Sequence, residues 1–314
     1  VNLVTKGNPL NKKSVPYVLL LGCLFGISIV VSRFSVRQYK PVTFIGLRLT
    51  LASLGFIVVF SLGIGKRSWP RGRDLWWKGF LLGVFGTAVP MTGIVSSLQY
   101  LSSGLTSILI TVNPAFTVVL AHFFLDDEPL TRRKSAGVLL ALGGGVSLVI
   151  LGESGLPAAE QVNPVGYVFA LSGMLAGSTM TVFARKYMGS FDALDVTGIR
   201  MFAGALVLVP ISFLLEGFDV SRVNPQGFAA LIFAAIVGTF LGFLLSFYNI
   251  QRFGATAAVM TAYVVPVVAG LIGFLFLDEQ VTWGMALGIA LIILGVWMIN
   301  STGRGRSKIP ETYV

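Results

Sequence analysis

Apolar runs of membrane-crossing length recur ten times along this chain, at roughly 16–34, 43–62, 76–98, 103–125, 134–151, 164–184, 194–215, 227–248, 254–277 and 282–300. Each is close to the 17–25 residues that a helix needs to span a hydrocarbon layer roughly 30 Å thick. Polar positions are confined to short links carrying turn residues, such as Gly63, Gly65 and Pro70, or Pro157, Asn163 and Pro164, or Asn224-Pro225. The pattern predicts an all-α integral membrane protein of ten transmembrane helices, with no room for a soluble domain.

Two of these runs say the same thing. Residues 103–125 read SGLTSILITVNPAFTVVLAHFFL and end in Asp126-Asp127-Glu128; residues 255–277 read ATAAVMTAYVVPVVAGLIGFLFL and end in Asp278-Glu279. Pro114 and Pro266 sit at the two midpoints. Proline has no N–H and crowds the preceding turn, so a carbonyl such as that of Ile110 loses its helical donor. In lipid, such a break belongs where protein or a wet cavity can satisfy the freed group. At the same offset of 152, Arg33 matches Arg185, Arg48 matches Arg200, Gly86-Thr87 matches Gly238-Thr239 and Gln99 matches Gln251. After one deletion Thr131, Gly137 and Gly144 match Thr282, Gly288 and Gly295. Five spans per half is an odd number, so the second half enters the membrane from the opposite side. The expected organisation is a tail at 1–15, a five-helix repeat at 16–151, an external linker at 152–163, an inverted second repeat at 164–300 and a tail at 301–314. Inverted repeats build transporters because two halves can rock about a central site.

Composition agrees, with 55% hydrophobic and 11% charged residues among 314 and a mean hydropathy of +0.84; a soluble chain carries about twice that charge. The net charge of +10 is mainly a topology signal. With the N-terminus inside, the inner segments hold 17 basic residues: Lys6, Lys12 and Lys13 in the first tail, five at 66–78, Arg132 to Lys134, Arg185 and Lys186, Arg252, and Arg304, Arg306 and Lys308. The outer segments hold only Arg33, Arg37, Lys40 and Arg222. Both termini are therefore expected to be cytoplasmic. No signal-peptide cleavage pattern follows the basic tail, and the absence of an initial methionine suggests a trimmed or incomplete start. One cysteine, Cys23, and one histidine, His122, exclude an internal disulfide and the usual zinc sites. Neither a metal nor a cofactor is expected, and the partners are a small solute and the bilayer, not nucleic acid.

In this order, and twice, the paired arginines, proline-centred fourth helices, acidic ends FFLDDEPLT and FLFLDEQVT and glycine-rich fifth helices resemble the drug/metabolite transporter superfamily, of the ten-helix EamA type. The second acidic end departs from the first, with Gln280-Val281 where the first has Glu128-Pro129. The resemblance implies a central cavity lined mainly by helices 1, 3, 4, 6, 8 and 9. It also implies export or exchange of small metabolites, often amino acids and related compounds.

Candidate site residues are the polar groups near mid-depth. Asn113 has four bonding sites to satisfy beside a broken backbone, and Thr117 follows it on one stripe of helix 4. Helix 3 offers Thr87 and Met91 around Pro90, helix 6 offers Ser178, helix 8 Thr239, and helix 9 Thr261 and Tyr263. For a single Ser or Thr, bonding to its own helix is the plain alternative. Pro114, Pro266 and Pro90 are the expected hinges. Arg48 and Arg200 are costly charges inside spans, within snorkelling reach of an interface, and read as anchors or gates ahead of substrate contacts. The pocket is expected to be neutral and apolar, suited to a small amphipathic solute. Pairs of glycines four apart, as at Gly22/Gly26, Gly79/Gly83 and Gly284/Gly288, read as internal packing faces or a dimer seam, so the state is monomer or homodimer. All 13 carboxylates fall in links, span ends or the tail. That favours facilitated diffusion or exchange over proton pumping, with any coupling through a group such as His122. The reading is a secondary transporter working by alternating access in the plasma membrane. The rival is an integral membrane enzyme on lipid or small substrates, for which the loop acids lack histidine or cysteine partners. A channel lacks a charged ring or filter-like run.

Overall fold

The computed structural model describes residues 14–64, 68–126, 128–157, 163–253 and 255–300, with Phe247, Ile250, Gln251 and 255–259 described by backbone only. Lys6, Lys12, Lys13, Gly65, Lys66, Arg67, Asp127, Glu160, Arg304, Arg306, Lys308 and Glu311 lie outside the described residues. Among the described residues, ten helices are long and apolar enough to cross a membrane. They are α1 (Val15–Ser35), α2 (Pro41–Ser61), α3 (Arg73–Ser97), α4 (Ser103–Phe124) and α5 (Arg132–Ile150), then α6 (Val165–Tyr187), α7 (Ala193–Glu216), α8 (Pro225–Ser246, running on to Phe253), α9 (Ala255–Leu277) and α10 (Trp283–Asn300). Among the described residues there is no strand.

Local chemistry sets the helix starts. Pro41 and Pro225 occupy first turns, where the missing N–H costs nothing. Ser102 caps α4 by accepting from the Leu105 N–H at 3.0 Å, and Asn224 caps α8 by accepting from Gly227 at 2.8 Å. Short links make neighbouring helices antiparallel. α1, α3, α5, α7 and α9 therefore run from the side where the chain enters and leaves the bundle (the termini side) to the far side.

Packing follows the repeat. α2 packs on α7 and α5 on α10, α1 packs on α9 as α4 does on α6, and α3 contacts α6 and α7 as α8 contacts α1 and α2. Exchanging the halves maps this set onto itself. The glycine faces are internal seams. A Cβ on Gly26 would meet Val268 at 2.8 Å, and one on Gly83 would meet the Arg200 carbonyl at 2.7 Å. Gly137 and Gly295 bring the α5 and α10 backbones together, because a Cβ on either would lie within 2.6 Å of the other's carbonyl.

Three helices depart from regular α geometry. α3 contains a π-helical turn at Val84–Ala88, just ahead of Pro90, and α8 contains one at Ala234–Leu241, the matching place in the second half. In each, a threonine hydroxyl donates to the carbonyl five residues back, Thr87 to Leu82 and Thr239 to Ala234. α4 is interrupted at Thr111-Val112, immediately before Asn113-Pro114. α9, by contrast, runs unbroken through Pro266, which corrects the expectation of two broken helices. Around Pro114, Ser107 and Thr111 hydroxyls donate to the Gly104 and Ser107 carbonyls at 2.6 and 3.0 Å and stabilise the tightened turn. Their counterparts at Pro266 are Val259 and Tyr263, neither of which can back-bond a neighbouring carbonyl in this way.

Candidate functional site

A cavity of about 450 Å³ lies between the halves, with walls from α1, α2, α3, α4, α8 and α9. Most of the wall is apolar, built from side chains such as Leu21, Phe25, Ile94 and Phe243; its polar groups among the described residues are Ser28, Ser32, Arg48, Ser107, Thr111, Asn113, Ser246 and Thr261. Helix 6 was expected in this wall and helix 2 was not. The reason lies in Arg48, whose side chain reaches from α2 into the space, while α6 stands one layer behind α4.

Arg48 is buried, with 6% of its surface exposed, so the snorkelling expectation fails for it. Its Nε donates to the Thr239 hydroxyl at 2.7 Å, and its two terminal nitrogens donate to Ser32 and Ser28 at 3.0 and 2.8 Å. Arg200 repeats the first contact across the pseudo-two-fold axis, its Nε donating to Thr87 at 2.7 Å. Each arginine therefore ties its own half to the π-helical turn of the other. The remaining contacts differ. Arg200 donates to the Gly86 carbonyl at 2.9 Å, an oxygen whose ordinary helical donor would be the nitrogen of Pro90, and lies 5.5 Å from the Phe243 ring centre. Arg200 does not line the cavity; Arg48 does. That corrects the expectation of a neutral pocket.

Of the sequence candidates, Asn113, Met91 and Thr261 line the cavity. Ser178, fully buried on α6, donates its hydroxyl to the Asn113 side-chain oxygen and so positions the amide from behind. With that oxygen engaged, the NH₂ end is the part of Asn113 that can donate to a solute. Thr87 and Thr239 do not line the cavity; they are the arginine acceptors just described. Thr117 donates to the Asn113 carbonyl at 3.0 Å, the plain alternative weighed for such residues. Tyr263 is also outside the wall. It bonds with Asn300 and packs in the α4–α5–α10 core, because α9 turns Thr261, Ala262 and Val265 to the cavity and residue 263 falls on the opposite face.

The far side of the cavity is closed. Leu98, Leu101 and Leu105 are fully buried there. Above them Glu279, at the end of α9, accepts from the Ser103 N–H at 2.7 Å, the Ser103 hydroxyl at 2.7 Å and the Gly104 N–H at 3.2 Å. A carboxylate of one half thus caps the helix start of the other. Glu216 does the same for α2, accepting from Val42 and Thr43 at 3.2 and 2.8 Å. At the termini side Glu128 accepts from Lys134 and Arg185 at 2.8 and 2.5 Å, and the Lys134 bond foremost holds its carboxyl below the usual range. His122 sits nearby, its Nδ1 accepting from the Leu130 N–H at 3.2 Å.

Sequence reasoning missed Ser28, Ser32, Ser107, Thr111 and Glu279. A signal existed for the first pair: serines four apart on α1, on the half with Arg48, whose counterparts are Met180 and Ala184.

Comparisons agree with this architecture. The EamA-like transporter family matches in two stretches, residues 12–150 and 164–301. An uncharacterized transporter of Archaeoglobus fulgidus is 28% identical over 90% of this chain and 97% of its own length, and the uncharacterized transporter YoaV of Bacillus subtilis is 26% identical over 93% and 98%. A probable terminal-alkyne amino-acid exporter of Streptantibioticus cattleyicolor is 27% identical over 84% and 86%. A protein of known crystal structure shares the fold, with a TM-score of 0.64 at 18% identity over 94% of this chain and all of that one. With the family matching almost the whole chain, this multi-pass membrane protein belongs to the EamA-like transporters.

Proposed function

We propose that the protein carries a small amphipathic metabolite, an amino acid or a related compound, across the plasma membrane by alternating access, as an exporter or exchanger with both termini in the cytoplasm. The observation that carries this reading is one cavity walled by both halves and sealed at the far side by a contact between them, Glu279 on Ser103 and Gly104. Rocking the halves would break that seal and form its counterpart at the other end. The cavity volume suits one small solute, with an apolar wall and few polar groups to orient it. The relative named as an amino-acid exporter supports the solute class, and the basic residues of the termini-side links support the orientation. Purified protein in liposomes is expected to give saturable uptake of such solutes and counterflow against a preloaded interior. Flux that rises linearly with concentration and shows no counterflow would replace the carrier with a pore.

Asn113 and Tyr263 now predict different results. Asn113→Ala is expected to weaken solute binding by about 1–3 kcal/mol, the scale of a lost buried hydrogen bond. Tyr263→Ala should lower the melting temperature and leave affinity near that of the parent, since its ring belongs to the core. Equilibrium binding and thermal unfolding of the two purified variants check this, and equal affinity losses would return Tyr263 to the site.

A further inference from the structure

We infer that Arg48 is the anchor for an anionic group on the transported solute, so that the cavity selects compounds with one carboxylate, or an anion of similar size, on an apolar body. This rests on the carrier reading above. Four observations carry it. Among the described residues Arg48 is the one charged group in the cavity wall. Its three described partners, Ser28, Ser32 and Thr239, are neutral hydroxyls. They orient the guanidinium and occupy three of its five N–H groups, leaving two to donate. No carboxylate stands near it among the described residues. Asp74, Asp126, Glu128, Glu153, Asp192, Asp195, Glu216, Asp219, Asp278 and Glu279 all lie in links or at span ends, and none lines the cavity.

A buried guanidinium with hydroxyl partners alone lacks a counter-charge, and in a low-dielectric interior that is costly. An incoming anion supplies the missing charge in the geometry that guanidinium groups favour. The pseudo-symmetric partner sharpens the assignment. Arg200 keeps the threonine contact, so that contact accounts for the structural tie between halves. What Arg48 has in addition is the serine pair and the cavity. Gly238 is fitted to this arrangement, since a Cβ there would lie 2.2 Å from the Ser28 hydroxyl and 3.4 Å from an Arg48 terminal nitrogen.

The cavity wall also includes two residues whose carbonyls lack a helical donor. Pro114 and Pro266 withhold the helical donors of Ile110 and Ala262, and both of these residues line the cavity.

The test is a thermal-shift screen of the purified protein against matched pairs, each amino acid or monocarboxylate beside its amide and its decarboxylated amine. Saturating stabilisers should all carry the anion, with the amides weaker by about 10- to 100-fold, the scale of a charge-assisted hydrogen bond. Arg48→Gln should remove the difference within each pair, Arg48→Lys should restore part of it, and Arg200→Gln should leave it intact. The wild-type comparison alone decides the matter if the Arg48 variants fail to fold. Stabilisation by amides or amines as strong as by acids, or by no member of the set, would overturn the assignment. Saturable counterflow of a neutral or cationic solute would do so while leaving the carrier reading in place; absence of saturable flux for every solute would instead defeat the carrier reading.

Discussion

Glu279→Ala is expected to cost about 2–4 kcal/mol and to open the far side of the bundle. Three donors converge on that carboxylate, two of them backbone N–H groups in the first turn of α4, and a buried donor left without an acceptor costs about 1–3 kcal/mol. The net loss is smaller than three times that figure, because removing a buried carboxylate also removes the cost of desolvating it. Water entering the loosened seal would satisfy what remains. Leu105, next to Gly104 in the same first turn of α4 and fully buried, reports the opening. A cysteine there, in a Cys23→Ser background, should resist an impermeant maleimide in the parent and react once Glu279 is alanine. Glu279→Gln should fall between the two, since its amide keeps one acceptor and turns a donor towards α4. Unchanged melting and an unreactive Leu105→Cys in the alanine variant would mean that the cap does not hold the halves together.

Gly295→Leu is expected to prevent folding, or to cost roughly 3 kcal/mol or more where folded protein is recovered. A Cβ at that position would sit 2.4 Å from the Gly137 carbonyl and 2.5 Å from the Ala141 nitrogen. Both are backbone atoms, so relief requires α5 and α10 to separate along their whole seam. Gly143→Leu is the matched control: it lies on the same helix as Gly137, with nothing within 4 Å of its added Cβ, and should change the melting temperature little. A Gly295→Leu protein that melts like its parent would show that the seam opens without penalty.

These effects bear on what the chain discloses before it folds. Ten spans, the repeat and the glycine seams are legible because membrane burial is written in long apolar runs and in fixed spacing. The site is only partly legible. Asn113 stands out because an amide beside a proline has few uses in lipid, and it does line the cavity. Tyr263 stands at mid-depth as a polar aromatic in the position that matches Thr111, yet a helix turns 100° per residue, so the residue two positions from Thr261 faces the α5–α10 core. Thr87 and Thr239 were chosen for polarity, which the arginines of the opposite half consume. Arg48 was assigned by its distance from a helix start, but its environment was set by serines on another helix. Interhelical pairing of that kind has no local signature. α4 is interrupted beside Pro114 while α9 runs unbroken through Pro266, and only the first proline has back-bonding hydroxyls, those of Ser107 and Thr111, in the turn before it.

The central claim is that one cavity, shared by the two halves, opens to one side at a time. The most direct measurement places a single cysteine at Ile110, in the cavity wall, in a Cys23→Ser background reconstituted in liposomes with known orientation. An impermeant maleimide is applied to either side, with and without saturating solute. Alternating access predicts labelling from either side at rates that change in opposite directions when solute shifts the balance of states. Rates that are equal from both sides and unmoved by any solute would describe a continuous pore and contradict the account.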